Sequence, residues 1–259
     1  MPQIEANGVR LYYEEQGRGD PILGIHGTGS SAMLWSEAVP VLARLGRVIV
    51  YDRRGCTRSE RPLPFSAGST THVEDAAALL GVLKAGPATV IGRSYGGAVA
   101  IELALRHPER VRALVLLEAF IGSLVPEAEA WETELARRLE AVASTSDDAV
   151  AEELIEYALG EGAWASFPDE IKRMFVDNAP AILDEELDPP AMDDPTELGR
   201  IDVPTLVVGA ASSDPVFRMM NERIAQGIPG AEVSTVGGGH VIAPDHPDVL
   251  AFVREVLPS

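Results

Sequence analysis

The sequence is poor in cysteine and has no long apolar stretch. Cys56 is the only cysteine among 259 residues, so no internal disulfide can form. No run reaches the roughly 18 to 20 apolar residues that a membrane span needs, and Met1 to Gly8 lacks the basic and apolar regions of a signal peptide. We therefore expect a cytoplasmic protein without a membrane partner, in which Cys56 is a packing residue.

Basic residues are also scarce, since 21 Lys and Arg face 40 Asp and Glu, for a net charge of −19. The segment from Glu127 to Glu197 contains 21 acidic and 4 basic residues and so carries −17 of that charge. Such a surface repels phosphate backbones and anionic lipid, which argues against nucleic-acid and membrane partners and, more weakly, against highly anionic substrates. Solvated outer faces of helices explain this excess more simply than steering of a ligand does.

Short apolar runs alternate with helical patterns along most of the chain. The turn-prone Asn7-Gly8 before the loosely alternating Val9 to Gln16 predicts an antiparallel hairpin at a sheet edge. Buried parallel strands are predicted for five later runs: Pro21 to His26, Val48 to Tyr51, Ala88 to Ile91, Val111 to Leu117 and Pro204 to Val208. Helices are predicted over Met33 to Leu45, over His72 to Lys84 and after Pro247. This alternation predicts an α/β fold with a mostly parallel sheet.

The alternation stops between Leu117 and Pro204. Amphipathic spacing there predicts three helices, one from Trp131 to Val142, a second around Val150 to Ala158 and a third from Ile171 to Ile182. We therefore expect residues 120–202 to form a helical cap inserted into a core made of residues 1–119 and 203–259.

A G-x-S-x-G pentapeptide, Gly92 to Gly96, lies between the strand pattern that ends at Ile91 and a helical pattern from Gly97 to Arg106. A sharp strand-to-helix turn holds a serine hydroxyl clear of the backbone, where a base can reach it. This context favours Ser94 as a nucleophile over an ordinary glycine-rich turn.

A serine nucleophile needs a base, and the chain has five histidines. His240 follows three glycines on a predicted loop between a short strand pattern and the last helix, which makes it the best candidate for general acid/base catalysis. His72, His107 and His246 lie at predicted helix ends and are interpreted as structural or surface residues. His26 is expected to support the small-residue loop Gly27 to Ser30.

That loop can aim backbone N–H groups at a developing oxyanion. We expect Gly27 and Thr28 to contribute to substrate binding there, with the N–H of Tyr95 as the second donor. A plain tight turn is the alternative.

Taken together, several motifs resemble those of the α/β-hydrolase superfamily along nearly the whole chain. They are His26-Gly27, Asp52 to Gly55 with Ser59, the Gly92 to Gly96 elbow, Arg106 to Val111 and Gly239-His240. The resemblance implies an eight-stranded sheet with a helical cap, a Ser/acid/His triad, no cofactor or metal, and attack on a carbonyl-type carbon. Because the nucleophile is serine, the branches that use aspartate, such as haloalkane dehalogenases, are disfavoured.

The acid of the triad has two candidates. The usual family position, three residues after Gly209, holds Ser212, and Asp214 follows two residues later. Glu118 directly follows the run Ala113 to Leu117, and some α/β-hydrolases place the acid after this earlier strand. A carboxylate at the end of a buried strand can hold the imidazole in one tautomer, which favours Glu118, with Asp214 as the alternative acid or a helix N-cap.

The Ser94-to-Glu118 spacing, Val208 to Ala211 and His246 to Val249 are similar to zearalenone-type lactone hydrolases. We therefore expect a small-molecule ester or lactone as substrate, in a monomer or homodimer. A carboxylesterase, a carbon–carbon bond hydrolase, a perhydrolase and a hydrolase-like receptor are the alternatives. The apolar side chains expected either to line the substrate pocket or to pack the cap are Phe120, Trp131, Trp164, Phe167, Met174 and Phe175.

Overall fold

The computed structural model describes residues 2–258, which form one eight-stranded sheet with helices on both faces. The strands are β1 (Gln3–Ala6), β2 (Val9–Gln16), β3 (Pro21–Ile25), β4 (Arg47–Tyr51), β5 (Ala88–Arg93), β6 (Val111–Leu117), β7 (Thr205–Ala210) and β8 (Glu232–Val236). Their spatial order is β1-β2-β4-β3-β5-β6-β7-β8. Strand β2 runs antiparallel to β1 and β4, and all other neighbours are parallel. The mostly parallel eight-stranded sheet is thus confirmed.

The predicted hairpin is formed by β1 and β2. Asn7 and Gly8 connect the two strands with φ values of 49° and 72°. A two-residue turn that fits the right-handed twist of both strands needs positive φ at both positions, which asparagine and glycine tolerate best.

The described residues also contain ten α-helices. They are α1 (Val39–Leu42), α2 (Ser69–Val82), α3 (Tyr95–Arg106), α4 (Pro126–Val142), α5 (Asp147–Leu159), α6 (Ala163–Ser166), α7 (Asp169–Asp177), α8 (Ala179–Leu187), α9 (Pro215–Gly227) and α10 (Pro247–Val256). Short 3₁₀ turns cover Ala32–Trp35, Pro108–Arg110, Gly122–Leu124 and Pro195–Arg200. None of the helices within residues 2–258 has the length and apolar character needed to cross a bilayer.

Both faces of the central strands β3 to β7 are buried, as the continuous apolar runs of these strands predict. On β6, Leu114 and Leu116 pack into a core with side chains of α2, α3 and α9. Val115 and Leu117 point to the opposite face and pack with side chains of α1 and α10. This alternation fixes the register of β6, because a slip of one residue would exchange the two faces.

Helices α4 to α8 lie between β6 and β7 in the chain, and we call residues 120–202 the cap. The cap has its own apolar cluster, which includes Leu135, Leu139, Leu154 and Phe175.

Two segments that were each predicted to form one continuous helix are interrupted in the structure. The predicted helix from Met33 to Leu45 is a 3₁₀ turn followed by the short α1, and the predicted helix from Ile171 to Ile182 is two helices, α7 and α8. In both cases a proline, Pro40 in α1 and Pro180 in α8, occupies the first turn of the second helix. Proline has no N–H and clashes with the preceding turn, so it begins a helix instead of continuing one.

Candidate active site

Ser94 lies on the sharp turn between β5 and α3. Its backbone has φ 52° and ψ −122°, an unfavourable conformation for a residue with a side chain. The Ser94 N–H donates to the Leu117 carbonyl of β6 at 3.0 Å, which ties the turn to the sheet. A Cβ atom on Gly92 would overlap the Gly96 carbonyl oxygen, and one on Gly96 would overlap that of Ile25. The two glycines of the pentapeptide therefore permit the turn that presents Ser94.

Glu118 directly follows β6 and is 1% exposed. Its backbone also has a positive φ, 46°, and its N–H donates to the Val208 carbonyl of β7 at 2.9 Å. Its Oε1 accepts from the Ala210 N–H at 2.8 Å, and its Oε2 accepts from the Ser213 hydroxyl at 2.8 Å. Both carboxylate oxygens are therefore held, one by the last residue of β7 and the other by the loop that follows it.

His240 lies against Glu118. Its Nδ1 is 2.7 Å from Glu118 Oε2, and its ring stacks on Phe217 with 3.9 Å between the ring centres. The Ser212 N–H donates to the Gly238 carbonyl at 2.9 Å and thereby anchors the glycine loop that carries the histidine. A carboxylate at Nδ1 stabilises the tautomer with the proton on Nδ1, which leaves Nε2 free to accept a proton.

Asp214, the alternative acid, occupies the N-cap of α9. Its Oδ1 accepts from the Val216 N–H at 2.9 Å, as an N-cap side chain does. The structure thus brings Glu118 to His240 and uses Asp214 to begin a helix.

The loop after β3 lies beside the nucleophile. A Cβ atom on Gly27 would be 3.2 Å from Ser94 Cβ, so only a small residue fits there easily. The N–H groups of Thr28 and Tyr95 make no hydrogen bond to another group within residues 2–258. Both are thus available to a bound oxygen atom, as an oxyanion hole requires.

His26 supports this loop from beneath. Its Nδ1 donates to the Gly27 carbonyl at 2.8 Å, and its Nε2 accepts from the Arg53 N–H at 2.8 Å. Burial, aided by the Arg53 charge, holds the pKa of His26 well below its usual value. The ring is therefore neutral, as this pair of hydrogen bonds needs.

Ser94 and His240 line a cavity of about 320 Å³ between the sheet and the cap. Four of the six predicted pocket residues line it: Phe120, Trp131, Phe167 and Phe175. The other two, Met174 and Trp164, belong to the apolar cluster of the cap, where Met174 also accepts a hydrogen bond from the Ser31 hydroxyl at 3.1 Å. Within residues 2–258, no group of three or more His, Cys, Asp and Glu side chains is arranged to hold a metal ion.

Three acidic residues of the cap, which were not predicted as site residues, also line the cavity: Glu132, Glu185 and Glu186. Burial and the neighbouring Glu186 raise the pKa of Glu132 to about 8, and burial raises the pKa of Glu186 to about 7. One signal was available in the sequence. Glu132 precedes Leu135 by three residues and Leu139 by seven, so it shares the buried face of α4.

Comparison with known proteins places this geometry among hydrolases. The model of the alpha/beta hydrolase family matches residues 22–251. The 2-hydroxymuconate semialdehyde hydrolase of Pseudomonas putida is 30% identical over 264 residues, which are 98% of this chain and 92% of that protein. The match to the protein of the same name from Pseudomonas sp. (strain CF600) is 39% identical over 118 residues, only 44% of this chain and 42% of that protein.

Solved structures of similar shape include two lactone-cleaving enzymes. The structure of Est816, described as an N-acyl homoserine lactone degrading enzyme, is 28% identical, covers 98% of both chains and has a TM-score of 0.74. The enol-lactonase from Burkholderia xenovorans LB400 is 25% identical, covers 98% of both chains and has a TM-score of 0.76.

Proposed function

Because the chain belongs to the alpha/beta hydrolase family, we propose that it is a serine hydrolase that cleaves an ester or lactone bond of a small, largely apolar substrate through an acyl-enzyme. The observation that carries this proposal is the 2.7 Å hydrogen bond between Glu118 and His240 beside the cavity that Ser94 lines. A nucleophile and a base then border one space where a carbonyl carbon can sit, and the buried acid orients the base from behind.

In the first half of the reaction, His240 Nε2 takes the Ser94 hydroxyl proton as the oxygen attacks the carbonyl carbon. Glu118 stabilises the imidazolium that forms and keeps its Nδ1 proton directed at the carboxylate. The N–H groups of Thr28 and Tyr95 donate to the oxyanion. The tetrahedral intermediate collapses when His240 returns the proton to the leaving alcohol.

The second half uses the same groups. Water gives a proton to His240 and attacks the acyl carbon, and the acid product leaves as Ser94 regains its proton. For a lactone, the alcohol and the acid stay in one molecule, so a single hydroxy acid is released.

The cavity supports a small substrate. Its volume of about 320 Å³ is near the lower end of the usual range for ligand pockets, and aromatic and aliphatic side chains make up most of its lining. The likeness to Est816 and to the enol-lactonase supports lactones, and an aromatic macrolactone of the zearalenone type is one candidate.

A second candidate, hydrolysis of a carbon–carbon bond, is supported by the identity with the 2-hydroxymuconate semialdehyde hydrolases. The cavity favours the ester reaction. A muconate-derived substrate carries a carboxylate, and Glu132 and Glu186, once ionised, would oppose that negative charge.

The test compares the wild type with Ser94→Ala, Glu118→Gln and Asp214→Asn on p-nitrophenyl esters and aromatic macrolactones. Folding of each variant is checked by circular dichroism. We expect Ser94→Ala and Glu118→Gln to lose turnover, by roughly a thousandfold or more. Asp214→Asn, which preserves a capping side chain, should retain turnover. Undiminished hydrolysis by folded Ser94→Ala would contradict the proposal.

A further inference from the structure

The cavity that holds Ser94 contains acidic side chains that the proposed mechanism does not use. Glu132 projects from α4, and Glu186 lies on α8. Glu186 Oε1 accepts from the Thr28 hydroxyl at 2.8 Å, so this carboxyl lies beside the loop of the expected oxyanion hole.

Glu132 is buried and has no partner. It is 8% exposed, and within residues 2–258 its carboxyl makes neither a hydrogen bond nor an ion pair. A buried carboxylate without a partner is costly, so its site favours either a proton or a cation.

The cationic side chains around the cavity are committed elsewhere. Arg53 Nη1 pairs with Glu185 Oε1 at 2.8 Å. Arg93 donates to the Ile242 carbonyl, and its guanidinium lies 5.9 Å from the ring centre of Trp35. Within residues 2–258, neither Glu132 nor Glu186 therefore forms an ion pair, although Arg53 acts on Glu186 from a distance.

Aromatic rings line the cavity next to these carboxyls. The rings of Trp131, Phe120 and Phe217 contact one another with 5.2 to 5.6 Å between their centres. Carboxylates combined with aromatic faces bind organic ammonium groups through charge and cation–π attraction. A metal ion would need more oxygen ligands, and the part of the chain that the structure describes places no group of three or more acidic, His or Cys side chains for one.

We propose that the substrate of this enzyme carries a protonated amine or a quaternary ammonium group, which binds at Glu132 and Glu186 while Ser94 attacks the ester bond. The inference rests on the proposed function, since it identifies the substrate class of the same site. A cationic substrate would distinguish this chain from enzymes that bind carboxylate-bearing substrates in a similar cavity.

The carboxyls of Glu132 and Glu186 predict how binding of a cationic substrate depends on pH. The pKa of Glu132 is raised to about 8 and that of Glu186 to about 7, so both ionise as the pH increases from about 6 to 9. The charged groups that face them are Glu129 on α4, Glu185 on α8 and Arg53, with His240 and Arg93 in the same cavity. The preference for a cationic substrate over a neutral one should therefore rise over this range.

The experiment uses two esters of equal shape. Choline butanoate carries a quaternary nitrogen where 3,3-dimethylbutyl butanoate carries a neutral carbon. The kcat/KM of each is measured by titration of the released acid, for the wild type, Glu132→Gln and Glu140→Gln. Glu140 is exposed on the same helix, so its substitution is a matched charge control. Inhibition of p-nitrophenyl butanoate hydrolysis by choline gives a second readout.

We expect the wild type and Glu140→Gln to prefer the cationic ester by roughly tenfold or more, and Glu132→Gln to lose most of that preference. Choline should inhibit the wild type more strongly than Glu132→Gln. Equal kcat/KM values for the two esters in the wild type, or a preference that Glu132→Gln leaves unchanged, would overturn the inference and leave the proposed function intact. If the wild type hydrolyses none of the three esters, the proposed function fails first.

Discussion

Glu132 is a carboxyl whose surroundings disfavour its negative charge. Its carboxyl is buried on the inner face of α4, with no cation to offset it within residues 2–258. Burial and the charges of Glu186 and Glu129 raise its pKa from 4.5 to about 8. The folded state therefore binds a proton that the unfolded state releases, and Glu132 opposes folding increasingly as the pH rises from about 4.5 to 8.

Glu132→Gln should consequently stabilise the protein more at about pH 9 than at about pH 5. We expect a gain of roughly 1–3 kcal/mol at the higher pH, because glutamine has no charge to bury. Urea denaturation at both pH values measures this difference. Glu140→Gln is the control, and an equal effect of Glu132→Gln at both pH values would contradict the argument.

Cys56 gives a second prediction for a single residue. It is fully buried, and burial raises the pKa of its thiol above the usual range. Its reaction with a thiol reagent at about pH 8 should therefore be negligible in the native protein and complete in denaturant. Rapid modification of the native protein would show that this thiol is accessible.

Residue by residue, the sequence was informative where a motif constrains the backbone. It pointed to Ser94, Glu118 and His240. In the structure Ser94 and His240 line one cavity and Glu118 is hydrogen-bonded to His240, although their catalytic roles stay predictions. It did not find Glu132 or Glu186, because acidic residues on amphipathic helices usually face water. The spacing of Glu132 to Leu135 and Leu139 places it on the apolar face of α4, but whether that face covers the cavity depends on how the cap packs on the sheet, and this packing has no local signal.

At the break between α7 and α8, the cap is hydrogen-bonded to the loop beside the nucleophile. Asn178 lies at this break and is fully buried. Its Oδ1 accepts from the Thr57 N–H at 2.6 Å, and its Nδ2 donates to the carbonyls of Gly29 and Ser30 at 2.9 and 3.0 Å. One side chain therefore holds the end of α7 against the loop after β3.

Asn178→Ala should destabilise the protein by about 2–4 kcal/mol, because it leaves buried backbone groups without partners. We also expect a higher KM with a smaller change in kcat, since the cap loses its contact with the loop while Glu118 and His240 stay in place. Urea denaturation and initial-rate kinetics measure the two effects. Asp177→Asn, at the exposed neighbouring position, is the control, and a denaturation midpoint shared by both variants would contradict this role.

The elements of the sheet were predictable to within a few residues, because a buried parallel strand is a continuous apolar run. The predicted run from Val111 to Leu117 coincides with β6. The helices were less predictable in their continuity. Pro180 is present in the sequence, but the apolar spacing on both sides of it matched a single helix. The structure shows that the chain breaks at Asn178, between α7 and α8.

For the whole molecule, the dominant property is its charge of −19, nearly all of it between Glu127 and Glu197. Ion pairs such as Arg138 with Glu153, at 2.8 Å, neutralise only part of it. Like charges concentrated in the cap repel one another, and this repulsion destabilises the compact state.

Added salt should therefore stabilise the protein. We expect the thermal midpoint to rise by roughly 2–5 °C when NaCl is increased from about 0.02 to 0.5 M, because the screening length falls from roughly 20 Å to a few ångströms. Differential scanning calorimetry at constant pH measures this rise. A midpoint that falls with salt would mean that ion pairs outweigh the repulsion.

The most direct test of the proposed function is covalent labelling of Ser94. The native protein is treated with a fluorophosphonate, and the modified peptide is located by mass spectrometry. We expect one adduct per chain, on Ser94. It should be absent in Ser94→Ala and in protein denatured before treatment, and it should form much more slowly in Glu118→Gln. Absence of an adduct, or labelling of Ser94 at the same rate in the denatured protein, would contradict an activated serine nucleophile.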